Sequence, residues 1–227
     1  MESTEPRPRS RRERPAKPAL TYQGIVDAAV RLMETEGLQR VTMRRLAQDL
    51  DTGPASLYVY VSNTAELHAA VLEHHLGTVD LAPAAETGGD WRERLAAVLA
   101  SYTQVLFRHA ALAHSALLAR PTGPHYLALV EALLALLQEG GVPRAQAARG
   151  VDLLLQVATA TAAEHAGRTG PTADAEHTAL VRALHHADPA RYPHIAEAAD
   201  DLVSGRPEDR LAWTFRTLVN GIAGTPL

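Results

Sequence analysis

The chain has 227 residues, 46% of them hydrophobic and 21% charged, with a formal net charge of −4 at pH 7, a globular balance that excludes collagenous, low-complexity and wholly disordered classes. It contains no cysteine, so disulfide frameworks, thiolate zinc centres and cysteine nucleophiles are absent. No purely apolar run is longer than that of Ala132 to Leu137, far short of the ~18 residues a membrane-spanning helix needs, and the N-terminal stretch lacks the apolar core of a signal peptide; the expectation is a cytoplasmic chain with no membrane partner.

Charge is unevenly spread. Residues 1–20 carry Arg7, Arg9, Arg11, Arg12, Arg14 and Lys17 against Glu2, Glu5 and Glu13, interleaved with Pro6, Pro8, Pro15 and Pro18. With almost no apolar side chain to bury, this stretch is expected to be a flexible basic arm. Thr21 then reads as an N-cap, and Ile25, Ala28, Ala29, Leu32 and Met33 recur at helical spacing until Gly37. Thr42 caps a second helix, whose apolar positions Met43, Leu46, Ala47 and Leu50 stop at the turn-prone Asp51-Thr52-Gly53. Pro54 opens a third helix reaching Val59 or Tyr60. Asn63 and Glu66 have capping-box spacing and start a fourth, running to about Asp80.

After a loop at Pro83 to Gly89, helical segments are expected at 90–108, 110–119, 123–139, 144–166, 175–187, 191–203 and 207–223, separated by glycine and proline breaks. No segment alternates as a half-buried strand does, and no repeat recurs at a fixed period. The protein is expected to be all-α.

Three short helices, the second and third joined by a tight turn, form the geometry of a helix-turn-helix reader. The run Val41-Thr42-Met43-Arg44-Arg45-Leu46-Ala47-Gln48-Asp49-Leu50, then the turn, then Ser56-Leu57-Tyr58-Val59-Tyr60-Val61-Ser62-Asn63 and Glu66-Leu67 resembles the DNA-binding domain of the TetR family, bacterial transcriptional repressors related to the tetracycline repressor. The likeness covers about residues 20–75, and 81–227 is similar in its helix series to the family's regulatory domains. Beyond the arm over 1–20 read from composition, the resemblance implies a three-helix DNA-binding domain over 21–75 and a C-terminal helical ligand-binding and dimerisation domain over 76–227. It also implies a double-stranded DNA operator, a small-molecule effector and a second copy of the chain as partners, with no cofactor.

By the same resemblance Thr42 and Tyr58 match positions that hold the DNA backbone, and Arg44 matches one that reaches a guanine edge. Pro54, Ala55 and Ser56 sit where the recognition helix meets bases; Arg45 and Tyr60 complete the candidate DNA-binding set. The competing reading of Tyr58 is a half-buried core aromatic, and that of Arg44 and Arg45 a solvated helix face. The chain departs from the family pattern at Asp51, where a glycine usually makes the turn, at Thr52 and Gly53, and at Thr64, where a phosphate-binding lysine usually stands. These changes imply weaker backbone contacts, offset by non-specific phosphate attraction from Arg9, Arg11 and Arg12 of the arm.

Candidate ligand-binding residues on the middle helices are Tyr102, Phe107, His114, Tyr126, Gln156, Thr159 and His165, each with ordinary core packing as the competing reading. Candidate dimer residues form two stripes, Val151, Leu154, Leu155 and Ala158 on one helix and Leu211, Phe215, Leu218 and Ile222 on another, with Trp213 off the second line. Self-packing within one subunit explains the same periodicity. No metal site is called: His74 and His75 are sequence neighbours and face different ways, and His185-His186-Ala187-Asp188 has no identifiable partners. Without a phosphate-binding glycine loop, a nucleophile elbow or paired carboxylates there are no candidate catalytic residues. The expected function is a ligand-responsive repressor that binds a palindromic operator as a homodimer and is released by a small apolar or amphipathic effector. The alternative is a helical small-molecule-binding protein or metal-dependent enzyme with a degenerate DNA-binding head.

Overall fold

The computed structural model describes residues 19–118, 121–167 and 171–227, and among them are helices and turns but no strand. Arg9, Arg11 and Arg12 of the expected arm lie outside the described residues.

The first helix, α1 (Tyr22–Glu36), starts where Thr21 Oγ1 accepts from the Gly24 amide and ends at Gly37, whose φ of 86° a side chain would resist. Its inward stripe of Ile25, Ala28, Ala29 and Leu32 is buried. A three-residue 3-10 turn, Leu38–Arg40, follows; it is too short to leave a periodic trace in the sequence. Next come α2 (Met43–Asp49), α3 (Pro54–Leu57) and α4 (Thr64–Leu76). Two boundaries differ from expectation. The third helix stops at Leu57, with turns through Tyr58 to Tyr60, and the fourth stops at Leu76 because Gly77 closes it onto the His74 and His75 carbonyls.

A single turn, α5 (Ala82–Ala85), falls where a loop was expected. The remainder is α6 (Trp91–Arg108), α7 (Ala110–Leu118), α8 (Pro124–Glu139), α9 (Arg144–Gly167), α10 (Pro171–His185), α11 (Pro193–Val203) and α12 (Pro207–Gly224). The start of α10 at Pro171, ahead of the expected residue 175, uses a proline whose missing N–H costs nothing in a first turn.

At the centre, α9 packs on α7 and α6, with α8 and α12 beside it. The link to the N-terminal helices is α4, which touches α1 on one side and α6, α7 and α8 on the other. One continuous hydrophobic cluster therefore runs from Ile25 through Leu67, Leu72 and Leu76 to Leu99, Leu155 and Phe215. A fully buried leucine contributes about 1.5–3 kcal/mol, so α4 is held by both halves. Outside this core, α10 and α11 pack chiefly on each other.

Candidate nucleic-acid interface and ligand pocket

Buried Val41, Met43, Leu46 and Ala47 fasten α2 to the core, while Thr42 and Arg44 point to solvent. Thr42 Oγ1 accepts from the Arg45 amide at 3.2 Å, leaving the hydroxyl proton to donate outward. The turn after α2 is a Schellman closure: Thr52 N donates to Ala47 O at 2.9 Å and Asp51 N to Gln48 O at 3.1 Å. Asp51 takes the left-handed position with φ 47°, a conformation that aspartate tolerates better than most side chains.

Gly53 gives α3 no side-chain cap, Pro54 occupies its first turn, and Leu57, 0% exposed, is its anchor. Around that anchor Pro54, Ala55, Ser56 and Tyr58 face solvent, Tyr58 with 54% of its surface exposed. Tyr58 is thus not among the residues of the hydrophobic core, with about half of its surface open. Arg44 is exposed and pairs with no described residue. Val59, 80% exposed beside Tyr58, escaped the sequence reading because an isolated valine carries no chemical signature.

Arg45 and Tyr60 are placed differently from the other candidates. The Arg45 guanidinium makes a two-point pair with the Glu36 carboxylate, and this hydrogen bonding holds the Glu36 carboxyl below its usual range. Tyr60 Oη donates to the Leu20 carbonyl at 2.7 Å. Arg45 thereby ties α2 to the end of α1, and Tyr60 ties the turn after α3 to the segment that precedes α1.

His68 on α4 sits between two parts of the molecule. Its Nε2 lies 2.9 Å from the Val41 carbonyl, and its Nδ1 lies 3.4 Å from Ser115 Oγ of α7.

Behind α4 is a cavity of about 110 Å³ lined by Leu72, Leu76, Ala116, Pro121 and Leu155 together with Tyr102, Tyr126, Gln156 and Thr159. Thr159 Oγ1 donates to the Leu155 carbonyl at 2.7 Å, and Tyr102 Oη meets the same hydroxyl oxygen at 2.7 Å, so the tyrosine is the donor in that pair. Among the described residues no charged side chain lines the cavity. Of the ligand candidates, Tyr102, Tyr126, Gln156 and Thr159 are brought together here. Phe107 and His165 stack on one another instead, with ring centroids 4.7 Å apart, and His114 is exposed; none of these three lines the cavity. Sequence reading missed Leu72 and Leu76 because they sit on a helix assigned to the head.

Much of the two candidate dimer stripes faces inward. Val151, Leu154, Leu155 and Ala158 are buried within one subunit, as are Phe215 and Ile222. A 3.6-residue stripe marks a buried face without saying whose atoms bury it. Leu211 and Leu218 remain half-buried. What α9 and α12 leave open is a groove of about 350 Å³ whose lining includes Leu153, Gly150, Thr217, Leu218, Gly221 and the edge of Ile222; Trp213, also on α12, is 61% exposed.

At the junction of α4 with the α6–α7 corner, the His75 ring stacks on that of His109 with centroids 3.8 Å apart, and buried His75 Nε2 has no hydrogen-bond partner. Burial, then the nearby His109, His74 and Arg108, pushes His75 down to about 4, and burial and Arg108 lower His109. Both rings are therefore neutral at pH 7. Among the described residues no group of three or more His, Asp or Glu side chains could hold a metal, and no helix is long and apolar enough to cross a membrane.

Comparison with known proteins places this geometry. Residues 25–71 match the family described as bacterial regulatory proteins, tetR family, and residues 82–225 match the tetracyclin repressor-like C-terminal domain. A Streptomyces coelicolor protein solved as a transcription regulator is 60% identical, with 93% of this chain and 98% of that one covered and a TM-score of 0.79. The Streptomyces coelicolor TetR family protein ActR, solved in complex with actinorhodin, is 32% identical over 91% of this chain and 98% of that one, with a TM-score of 0.80. An HTH-type transcriptional regulator of Saccharopolyspora erythraea is 38% identical over 132 residues, which span 57% of this chain and 54% of that relative. These are regulators and not enzymes, and on the two family matches and the near-complete overlap with the solved structures the chain belongs to the TetR family of bacterial transcriptional regulators.

Proposed function

We propose that the chain is a ligand-responsive repressor that occupies a near-palindromic operator as a homodimer and leaves it when a small apolar or amphipathic molecule enters the cavity behind α4. The observation that carries this reading is the double duty of α4. Leu67 and Val71 anchor it in the head, while Leu72 and Leu76 of the same helix wall the cavity. An effector of ordinary size needs a pocket of roughly 300 Å³ or more, and the cavity of about 110 Å³ must widen to admit it. Widening moves α4, and with it the head.

In this reading Arg44 reads a base edge, Thr42 and Tyr58 hold phosphates, and Pro54, Ala55 and Ser56 give close apolar and hydroxyl contacts in the major groove. Arg45 and Tyr60 serve as internal braces of the head. Pairing two heads about one helical turn apart doubles the contact and matches a two-fold operator. The open groove between α9 and α12, with Leu153, Leu218 and Ile222, supports a face for the second copy, as do the exposed Trp213 of α12 and the α10–α11 pair with its exposed Leu180 and Leu202.

The described lining carries no charge, and with Gln156 and the Tyr102–Thr159 hydroxyl pair as polar features it suits a largely apolar molecule bearing a hydrogen-bonding oxygen. ActR binds actinorhodin, which makes actinorhodin and related polycyclic aromatics the first set to screen. The test is genome-wide site selection with the full chain, followed by fluorescence anisotropy on selected and scrambled DNA at two salt concentrations. Selective binding that survives the higher salt is expected; equal, salt-labile binding to both would refute operator reading. A compound that binds tightly without changing operator affinity would refute the coupling, because a ligand shifts an equilibrium only by its differential affinity for the two states.

A further inference from the structure

Helix α8 begins without a cap of its own. Gly123 stands at its N-cap with no side chain, and Pro124 follows with no N–H, so the next amides, His125 and Tyr126, are the donors in need of a partner. Both find it on another helix. The Glu73 carboxylate of α4 accepts from His125 N at 2.6 Å and from Tyr126 N at 3.2 Å, one oxygen to each. The His125 ring folds back, its Nδ1 3.1 Å from the Glu73 carbonyl and 3.3 Å from Glu73 Oε1. A carboxylate is also the charge that the positive end of α8 favours. The fit depends on glycine: a Cβ at position 123 would lie 2.4 Å from Glu73 Cδ.

We propose that Glu73 is a positioning residue for the regulatory switch, a cap supplied across helices that latches α4 to α8 while the cavity is closed and lets go when it opens. The inference rests on the proposed function, whose switch it locates. Leu72 and Leu76 flank Glu73 in sequence and wall the cavity on the α4 side, while Tyr126, whose amide Glu73 holds, walls it on the α8 side. Any molecule that widens the space between those walls pulls the capped amides away from the carboxylate. Until then the latch keeps the head in one orientation relative to the regulatory helices.

The test separates latching from simple helix stabilisation. Glu73→Ala removes the cap and also the atoms that Gly123 avoids, so the double variant Glu73→Ala/Gly123→Ser can supply an ordinary serine cap within α8 and leave α4 untied. In the full-length chain we expect Glu73→Ala to lower both the melting temperature and operator affinity, the latter by about ten-fold. The double variant should recover the melting temperature and keep the reduced affinity. Recovery of wild-type operator affinity in the double variant would overturn the proposal. A readout independent of DNA uses the absence of native cysteine: spin labels at Gln48→Cys on α2 and Glu131→Cys on α8 report the spread of head positions. A distribution as narrow in both variants as in wild type would likewise overturn the latch. A wild-type chain that selects no operator overturns the proposed function instead, and the label distances still decide the latch.

Discussion

Arg44 and Arg45 are adjacent in sequence and alike in chemistry, yet one is exposed without a described partner and the other is paired with Glu36. On the proposed reading, Arg44→Ala should cost about 1–3 kcal/mol and relax discrimination at one base pair, whereas Tyr58→Phe should weaken all sequences alike; anisotropy on single-base operator variants checks both. Equal losses on cognate and scrambled DNA for Arg44→Ala would show that its contact is to phosphate. Asp51 can be tested beside them. Asn tolerates the same left-handed backbone, so Asp51→Asn should keep the turn, remove a negative charge near the duplex and strengthen binding by up to ~1 kcal/mol at low salt, a gain that fades as salt rises. The turn was legible in the sequence because Asp-Thr-Gly after an apolar stripe is turn chemistry. Which arginine is free was not, since adjacent residues on a helix point about 100° apart and only the position of α1 brings Glu36 to Arg45.

At the scale of elements, α4 and its neighbours carry a stability prediction. His75 has its folded value pushed down to about 4 from an ordinary 6.5, so the unfolded chain binds more protons than the folded one between those values. Stability contributed by the neutral ring is complete above about pH 6.5 and is lost as pH falls towards 4, a swing of about 3 kcal/mol. His109, lowered by burial and by Arg108, acts in the same direction. Urea midpoints measured from pH 7.5 to 4.5 should fall steeply for wild type and more gently for His75→Phe; parallel slopes would show that other groups govern acid unfolding. The helices themselves were mostly visible in advance because caps and breaks are local: Thr21, Thr42, Asn63 and Asp90 each accept the amide hydrogen bond of a starting helix. The ends of α3 and α4 differ from expectation because the chain beyond each leaves the helix while an apolar side chain, Val61 or Val79, still packs on the core from an irregular segment.

For the whole molecule, the proposed dimer has its own test. Leu153→Arg or Trp213→Arg, both on surface left open by a single subunit, should shift sedimentation from dimer to monomer and weaken operator binding with it. Removing residues 1–18, which hold Arg7, Arg9, Arg11, Arg12, Arg14 and Lys17, should reduce DNA affinity and flatten its dependence on salt; unchanged binding would remove the arm from the account.

The sequence by itself determined the all-α class, the order of the helices and the helix-turn-helix run, because helical period, capping residues and turn residues act over a few positions. It also carried the family through Val41 to Leu50 and Ser56 to Asn63. Only the tertiary structure decided which apolar stripe faces the subunit's own core, that Tyr102, Tyr126, Gln156 and Thr159 share a cavity while Phe107, His114 and His165 do not, and that α4 walls that cavity with Leu72 and Leu76. Those outcomes depend on contacts between segments far apart in the chain. Periodicity specifies that a face is buried, and the packing of helices specifies against what.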